Sequence, residues 1–155
     1  MLGGGNQTIV NYGAIVGHAA GTGGTNGGIV VSSGSATITN NVGALIQNDK
    51  TDGIYTNNGG SNVMNNGTIQ TGVTGVYFGN GGIFNQGVTG VVQSGANNAL
   101  YGVIGNSGTL TGNNAGTIRI VTTGVNDGAG VLYRNGASGD FTNSGSIYGS
   151  NAGVR

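Results

Sequence analysis

The chain has 155 residues, 37 of them glycine, with no proline, no cysteine and a formal net charge of zero. Charged residues make up 5% of it, namely Lys50, Arg119, Arg134, Arg155, Asp49, Asp52, Asp127 and Asp140, so the clustered cations that capture nucleic acid or an anionic membrane are missing. Disorder is disfavoured because Val, Ile and Thr run throughout where a disordered chain carries charge and proline, and helix because Gly, Asn, Ser and Thr are poor helix formers and Glu is absent. Short strands joined by tight turns remain. Apolar runs span only a few residues, and no charged stretch precedes one near Met1, so neither a membrane span nor a signal peptide is visible.

Residues 1–6 read as a leader, and a single repeating segment runs from 7 to 155. Two signatures alternate along it. The first is apolar-x-Asn-x-Gly-x-apolar, and it opens at Ile9–Ile15 with Asn11 and Gly13. After a turn-like stretch holding His18 and Gly21-Thr22-Gly23-Gly24 comes the second signature, small-aliphatic-aromatic, at Gly28-Ile29-Val30. A degraded first copy follows at Thr39–Leu45 with Asn41, and then Gly53-Ile54-Tyr55, Val63–Ile69 with Asn65, and Gly75-Val76-Tyr77. Ile83–Thr89 with Asn85 is again degraded, and Ala99-Leu100-Tyr101 and Ile104–Leu110 with Asn106 come next. Gly130-Val131-Leu132, Phe141–Ile147 with Asn143 and Gly153-Val154-Arg155 end the series.

Steps between the small residues are 25, 22, 24, 31 and 23, which gives about six coils of roughly 22–25 residues. The long step is read as an insertion over 112–128, containing Asn114-Ala115-Gly116. Alternation over three to five residues broken by Gly or Asn is the signal of short strands, three to a coil. One coil cannot close a core: its few inward aliphatics contribute about 1.5–3 kcal/mol each, against about 1–2 kcal/mol per ordered residue. Stability therefore belongs to the stack, and the expected fold is an all-β parallel β-helix, a β-solenoid.

Stacking at about 4.8 Å places equivalent residues above one another. The expected inward columns are Ile29, Ile54, Val76, Leu100, Val131 and Val154; Ile9, Val63, Ile83, Ile104 and Phe141; and Ile15, Leu45, Ile69, Leu110 and Ile147. Asn11, Asn41, Asn65, Asn85, Asn106 and Asn143 are expected to form a structural ladder, since a carboxamide both donates and accepts. The glycine two places on is assigned the positive φ of a tight corner. Tyr55, Tyr77 and Tyr101 are expected on one outward column, a surface-binding ladder for sugars or apolar partners that equally serves to cover the sheet.

The phrases Asn106-Ser107-Gly108-Thr109-Leu110-Thr111-Gly112 and Thr142–Gly149 resemble the passenger repeats of bacterial type V secreted adhesins, the autotransporters and their two-partner relatives. The resemblance extends from Gln7 onwards. It implies a right-handed β-helix, export to the bacterial cell surface or beyond it, and a role in adhesion, aggregation or display. The implied partner is a host or neighbouring-cell surface, glycan or protein.

Other chemistry finds little support. His18 lacks an orienting partner in the sequence and reads as a solvated turn residue rather than a general base. Asn48, Asp49 and Asp52 fall short of the six to eight oxygens that calcium takes and read as a charged corner; Asn126-Asp127-Gly128 reads as a turn. Gly21–Gly24 lacks the lysine and helix of a phosphate loop. No enzyme, metal or cofactor is expected. An ice- or crystal-binding face would need a regular Thr-x-Thr array, and Thr37-Ile38-Thr39 and Thr109-Leu110-Thr111 do not continue, while a β-helical carbohydrate enzyme would need several carboxylates on one face. The preferred reading is a rigid structural and adhesive rod within a longer fibre. Since Gly153-Val154-Arg155 opens a further coil with no cap after it, the chain is also expected to stack on copies of itself end to end.

Overall fold

The computed structural model describes residues 4–18, 26–95, 101–121 and 128–155. They form an all-β parallel solenoid whose six coils each supply three strands. The first two coils are β1 (Asn6–Asn11), β2 (Ala14–Gly17), β3 (Gly27–Val31) and β4 (Ser35–Asn40), β5 (Leu45–Asn48), β6 (Asp52–Thr56). The next two are β7 (Ser61–Asn65), β8 (Thr68–Thr71), β9 (Thr74–Phe78) and β10 (Gly82–Gln86), β11 (Val91–Ser94), β12 (Tyr101–Gly105). The last two are β13 (Leu110–Asn114), β14 (Thr117–Ile120), β15 (Ala129–Tyr133) and β16 (Phe141–Asn143), β17 (Ser146–Tyr148), β18 (Ala152–Val154). Every third strand pairs, giving three six-stranded sheets: β1-β4-β7-β10-β13-β16, β2-β5-β8-β11-β14-β17 and β3-β6-β9-β12-β15-β18.

The register fixes the columns. Ile9, Ile38, Val63, Phe84, Gly112 and Phe141 stack inside the first sheet. Ile15, Ile46, Ile69, Val92, Ile118 and Ile147 stack inside the second, and Ile29, Ile54, Val76, Val103, Val131 and Val154 inside the third. Several expected core positions are thereby corrected by a residue or more. Ile83 is 42% exposed and Phe84 takes the core; Leu45 yields to Ile46. Because the side-chain period of a strand is two, a one-residue slip turns a column inside out. Ile104 lies on the outer face of the third sheet, beside Tyr77. Ala99 and Leu100 lie outside the described residues, and Gly102-Val103 holds the place assigned to them.

The expected insertion over 112–128 is also corrected. Residues 110–114 and 117–120 are β13 and β14, full members of their ladders, and Asn114-Ala115-Gly116 is an ordinary corner between them. The extra length of the longer coils falls between the second and third sheets, at 18–26, 95–100 and 121–128, of which 19–25, 96–100 and 122–127 lie outside the described residues. Gly21–Gly24, Asn126 and Asp127 are among those.

Volume is traded between neighbours rather than repeated coil by coil. Gly112 contributes no side chain to its column, and the rings of Phe84 and Phe141 on either side stack across the space at 6.4 Å between centroids. Where the third sheet turns into the first, Phe78 fills the fourth coil's entry against Gly82, while one coil later Leu110 fills it against Gly105. This is the place of Leu110, not the second-sheet column. The result is a close-packed interior in which large and small residues alternate.

The small residue of the second signature has a steric reason. A Cβ on Gly53 would lie 2.6 Å from Ile69 Cγ2, on Gly75 2.2 Å from Val92 Cγ1, on Gly102 2.3 Å from Ile118 Cγ2 and on Gly130 2.3 Å from Ile147 Cγ2. Glycine here lets the third sheet press onto the branched column of the second.

Candidate functional site

The polar ladder inside the first corner is continuous, but only Asn11, Asn65 and Asn143 of its expected members belong to it. Asn11 Nδ2 donates to Asn40 Oδ1 (2.9 Å), Asn40 to Asn65 (2.9 Å), Asn65 to Gln86 Oε1 (3.0 Å), Gln86 Nε2 to Asn114 Oδ1 (2.8 Å), and Asn114 to Asn143 (2.8 Å). Each of the first five amides also donates to the backbone carbonyl of the next coil's second-sheet strand: Leu45, Thr68, Val91, Thr117 and Ser146. The two N–H protons are thus both used, as burial requires. Asn41, Asn85 and Asn106 stand elsewhere. Asn41 Nδ2 donates to the Asn11 carbonyl at 3.1 Å, Asn85 accepts from Asn113 on the outer face at 2.6 Å, and Asn106 serves the third sheet.

Of the motif glycines, Gly43 and Gly108 have the expected positive φ, 78° and 68°, and the others recur at their spacing for a steric reason. Gly67, Gly116 and Gly145 do not have positive φ; a Cβ on Gly116 would lie 2.2 Å from the Gly90 carbonyl oxygen, and on Gly67 2.4 Å from those of Asn41 and Ala44. They admit the corner of the preceding coil. Gly13, in the first coil, meets nothing within 4 Å.

The outer face of the third sheet carries the chemistry. Val30, Tyr55, Tyr77, Ile104 and Leu132 form its outward column. Tyr55 and Tyr77 stack with centroids 4.9 Å apart and planes 10° from parallel, and the Tyr55 hydroxyl donates to Asn57 Oδ1 at 3.3 Å. Tyr101 is not the third rung of that stack. It sits three positions earlier on its strand than Ile104, paired with Thr74 and Ala129, and at 7% exposure it packs against Ile104 and Leu132 together with Ala129.

Asp52 lies on the same flank, beside the Thr74 hydroxyl and N–H, which favour its charged form. Burial pushes its carboxyl up to about 6, with Thr74 and the Arg134 charge pulling the other way. Arg134 reaches over the Tyr77 ring, 5.8 Å from its centroid, within the range of a cation–π contact. Its Nε donates to Asn106 Oδ1 at 2.8 Å, which also accepts from Asn135 Nδ2 at 3.0 Å. Asn106 therefore aims the guanidinium. Burial, then Tyr77 and Asp52, push the Tyr55 phenol up.

Asp52, Tyr55, Thr74, Tyr77, Tyr101, Ile104 and Arg134, with Val73, line an open groove of about 280 Å³. A second recess, of about 380 Å³ over the first sheet, is lined by Met64, Asn85, Val88, Asn113 and neighbours and holds no charged group. The groove on the third sheet joins an aromatic wall, an apolar floor and one charge of each sign, drawn from four consecutive coils.

The remaining candidates do not converge. Asp49 faces His18, with Oδ1 and Nδ1 3.5 Å apart, while Asn48 Oδ1 accepts from the Lys50 and Thr51 N–H groups and caps the turn. Asp49 and Asp52 thus point to different partners, and among the described residues no three His, Cys, Asp or Glu side chains gather. Nor is Thr-x-Thr continued: beside Thr37 and Thr39 the outer face of the first sheet carries Asn62 and Met64, then Ile83 and Asn85. No helix among the described residues is long and apolar enough to cross a membrane. Sequence reasoning missed Asp52, Thr74 and Arg134 as companions of the tyrosines; the only signal was the rarity of Asp52 and Arg134 as charges in a nearly uncharged chain, and Thr74 carried none. No protein-family model, curated protein or solved structure matches the chain.

Proposed function

We propose that the chain is a structural and adhesive module of an extracellular bacterial fibre, a stiff β-solenoid that holds a binding surface away from the cell. The observation that carries this reading is the groove on the third sheet, where Tyr55, Tyr77 and Arg134 present aromatic and cationic surface over the inward column of Ile54, Val76 and Val103, in a solenoid whose first corner is tied by an unbroken amide ladder. Loops are the usual carriers of binding residues; here Tyr55 and Tyr77 project from strands whose neighbours on both sides are fixed and Arg134 directly follows β15, which favours a preorganised contact. Attachment of fluorescently labelled protein to epithelial and bacterial cells tests it. Wild type binds saturably and Tyr55→Ala/Tyr77→Ala binds at background; equal attachment by both would remove the groove from adhesion.

A second reading is favoured by the polarity of the ladder. All five side-chain bonds donate in the same direction, from the earlier coil to the later. Asn11 thus offers an acceptor at one edge and Asn143 a donor at the other, so a second copy stacked head to tail extends the ladder in register through a contact that does not close. Sedimentation over a concentration series tests this: mass rises with concentration if copies stack, and a monomer throughout rejects it.

A further inference from the structure

The groove on the third sheet contains one anionic and one cationic side chain and two kinds of apolar surface, a combination that restricts what it takes. We infer that it is a sugar site for a single neutral pyranose residue, with a vicinal diol on the Asp52 carboxylate, a further hydroxyl on the Arg134 guanidinium and the ring lying along the edges of the Tyr55 and Tyr77 rings that line the groove. This deepens the adhesive reading above, and rests on it in taking the groove as the contact surface.

Charge sets the class. Asp52 is 7% exposed, and a buried carboxylate disfavours a second anion beside it; Arg134, over the face of Tyr77, already occupies the place where a ligand cation would lie and repels one. A neutral polyhydroxyl group meets neither penalty. Hydrogen-bonding capacity points the same way. An ionised carboxylate offers roughly four lone-pair sites, and even with the Thr74 hydroxyl and N–H beside it acceptors remain for two hydroxyl donors. Arg134 has only donors, and its Nε is committed to Asn106, so the rest of its fork suits hydroxyl oxygens. Acceptor on one side and donor on the other is the arrangement that orients a sugar ring.

Size and shape narrow it further. About 280 Å³ lies just under the roughly 300–1,000 Å³ of pockets for drug-sized ligands, enough for one ring and not for a buried oligosaccharide. Asn106 is a positioning residue here: it touches Arg134, and its carbonyl oxygen fixes where the guanidinium stands over Tyr77.

Titration of the ¹⁵N-labelled chain with methyl mannoside, methyl galactoside and methyl glucoside, followed by amide and side-chain shifts, tests the inference. At least one of them perturbs Tyr77, Ile104 and Arg134 saturably, and glucuronate and tetramethylammonium bind more weakly. Asp52→Asn and Arg134→Ala each weaken the best sugar about tenfold or more, as expected when a charge-assisted bond is removed, while the rest of the spectrum reports an intact fold. A preference for glucuronate or for the ammonium ion, or no perturbation by any of the three glycosides, overturns it. If attachment to cells still depends on Tyr77 in that case, the sugar assignment alone has failed; if sugars bind but cells do not, the adhesive reading has failed and the sugar site stands.

Discussion

Gln86 donates from Nε2 to Asn114 Oδ1 across 2.8 Å, and so continues with a glutamine a ladder whose other rungs are all asparagine. It is fully buried, and its Oε1 accepts from Asn65 while Nε2 also reaches the Thr117 carbonyl at 3.0 Å. Gln86→Leu would leave one Asn65 N–H without a partner, and would take a donor from the Thr117 carbonyl and from Asn114 Oδ1, which keeps only the Gly116 N–H. Each buried orphan costs about 1–3 kcal/mol, so this variant should lose about 3 kcal/mol or more in urea titration. Asn85→Leu, one residue away on the outer face, should lose under about 1 kcal/mol. Similar losses from the two would mean that the ladder does not contribute to stability.

The corner glycines give a paired test. Gly116→Ala places a Cβ 2.2 Å from a backbone carbonyl oxygen, and two coils would have to separate to admit it; a loss of about 1–3 kcal/mol is expected, as for overpacked cores. Gly13→Ala has open space and no positive φ, so it should be neutral or stabilise by about 0.4–1 kcal/mol through the unfolded chain. Thermal melts of both variants under one condition decide it.

Asp52 makes stability depend on pH in an unusual direction for a carboxyl group. Its folded value of about 6 lies above the ordinary 3.8, so the folded state holds the proton more tightly than the unfolded chain does. Stability is then greatest below about pH 4, falls as pH rises towards 6, and levels off above it, by about 3 kcal/mol in all. Asp52→Asn should abolish most of that fall and be more stable than wild type at pH 7. Melting temperatures of both proteins from pH 4 to 7.5 measure it, and parallel curves would place Asp52 in solvent.

Tyr77 and Tyr101 were expected to be equivalent, and the groove makes them differ. Tyr77 is half-buried and stands in the outer stack, so Tyr77→Ala should cost about 1 kcal/mol, the scale of a lost aromatic pair. Tyr101 packs against Ile104 and Leu132, and Tyr101→Ala should cost about 3 kcal/mol, the scale of a large buried side chain. Chemical denaturation separates the two; equal small losses would mean that Tyr101 does not hold the outer cluster together.

Both outer coils and one central one were legible from local pattern alone. Ile9–Ile15, Val63–Ile69 and Phe141–Ile147 each place two inward residues and a ladder amide where the motif puts them, because their corner has the same short length. The same spacing misled at Ile104–Leu110, which spans a different corner, between the third sheet and the first. Local order cannot tell the two apart, since both need an apolar residue, a turn and another apolar residue.

What the sequence determined by itself was the class of fold: a nearly uncharged chain without proline, rich in glycine and branched residues and repeating every two dozen residues or so, has parallel stacking as its way to bury those residues. Register in the middle coils was decided only by the tertiary structure. The true fifth ladder copy, with Asn114 and Gly116, opens on Gly112 where the motif demands an apolar residue, and the missing volume comes from Phe84 and Phe141 one coil away on either side. The groove is of the same kind. Asp52, Thr74, Tyr77 and Arg134 are separated by up to 82 residues in the chain and become neighbours because each coil returns the backbone to the same sheet one strand higher, a proximity set by coil lengths that no local pattern encodes.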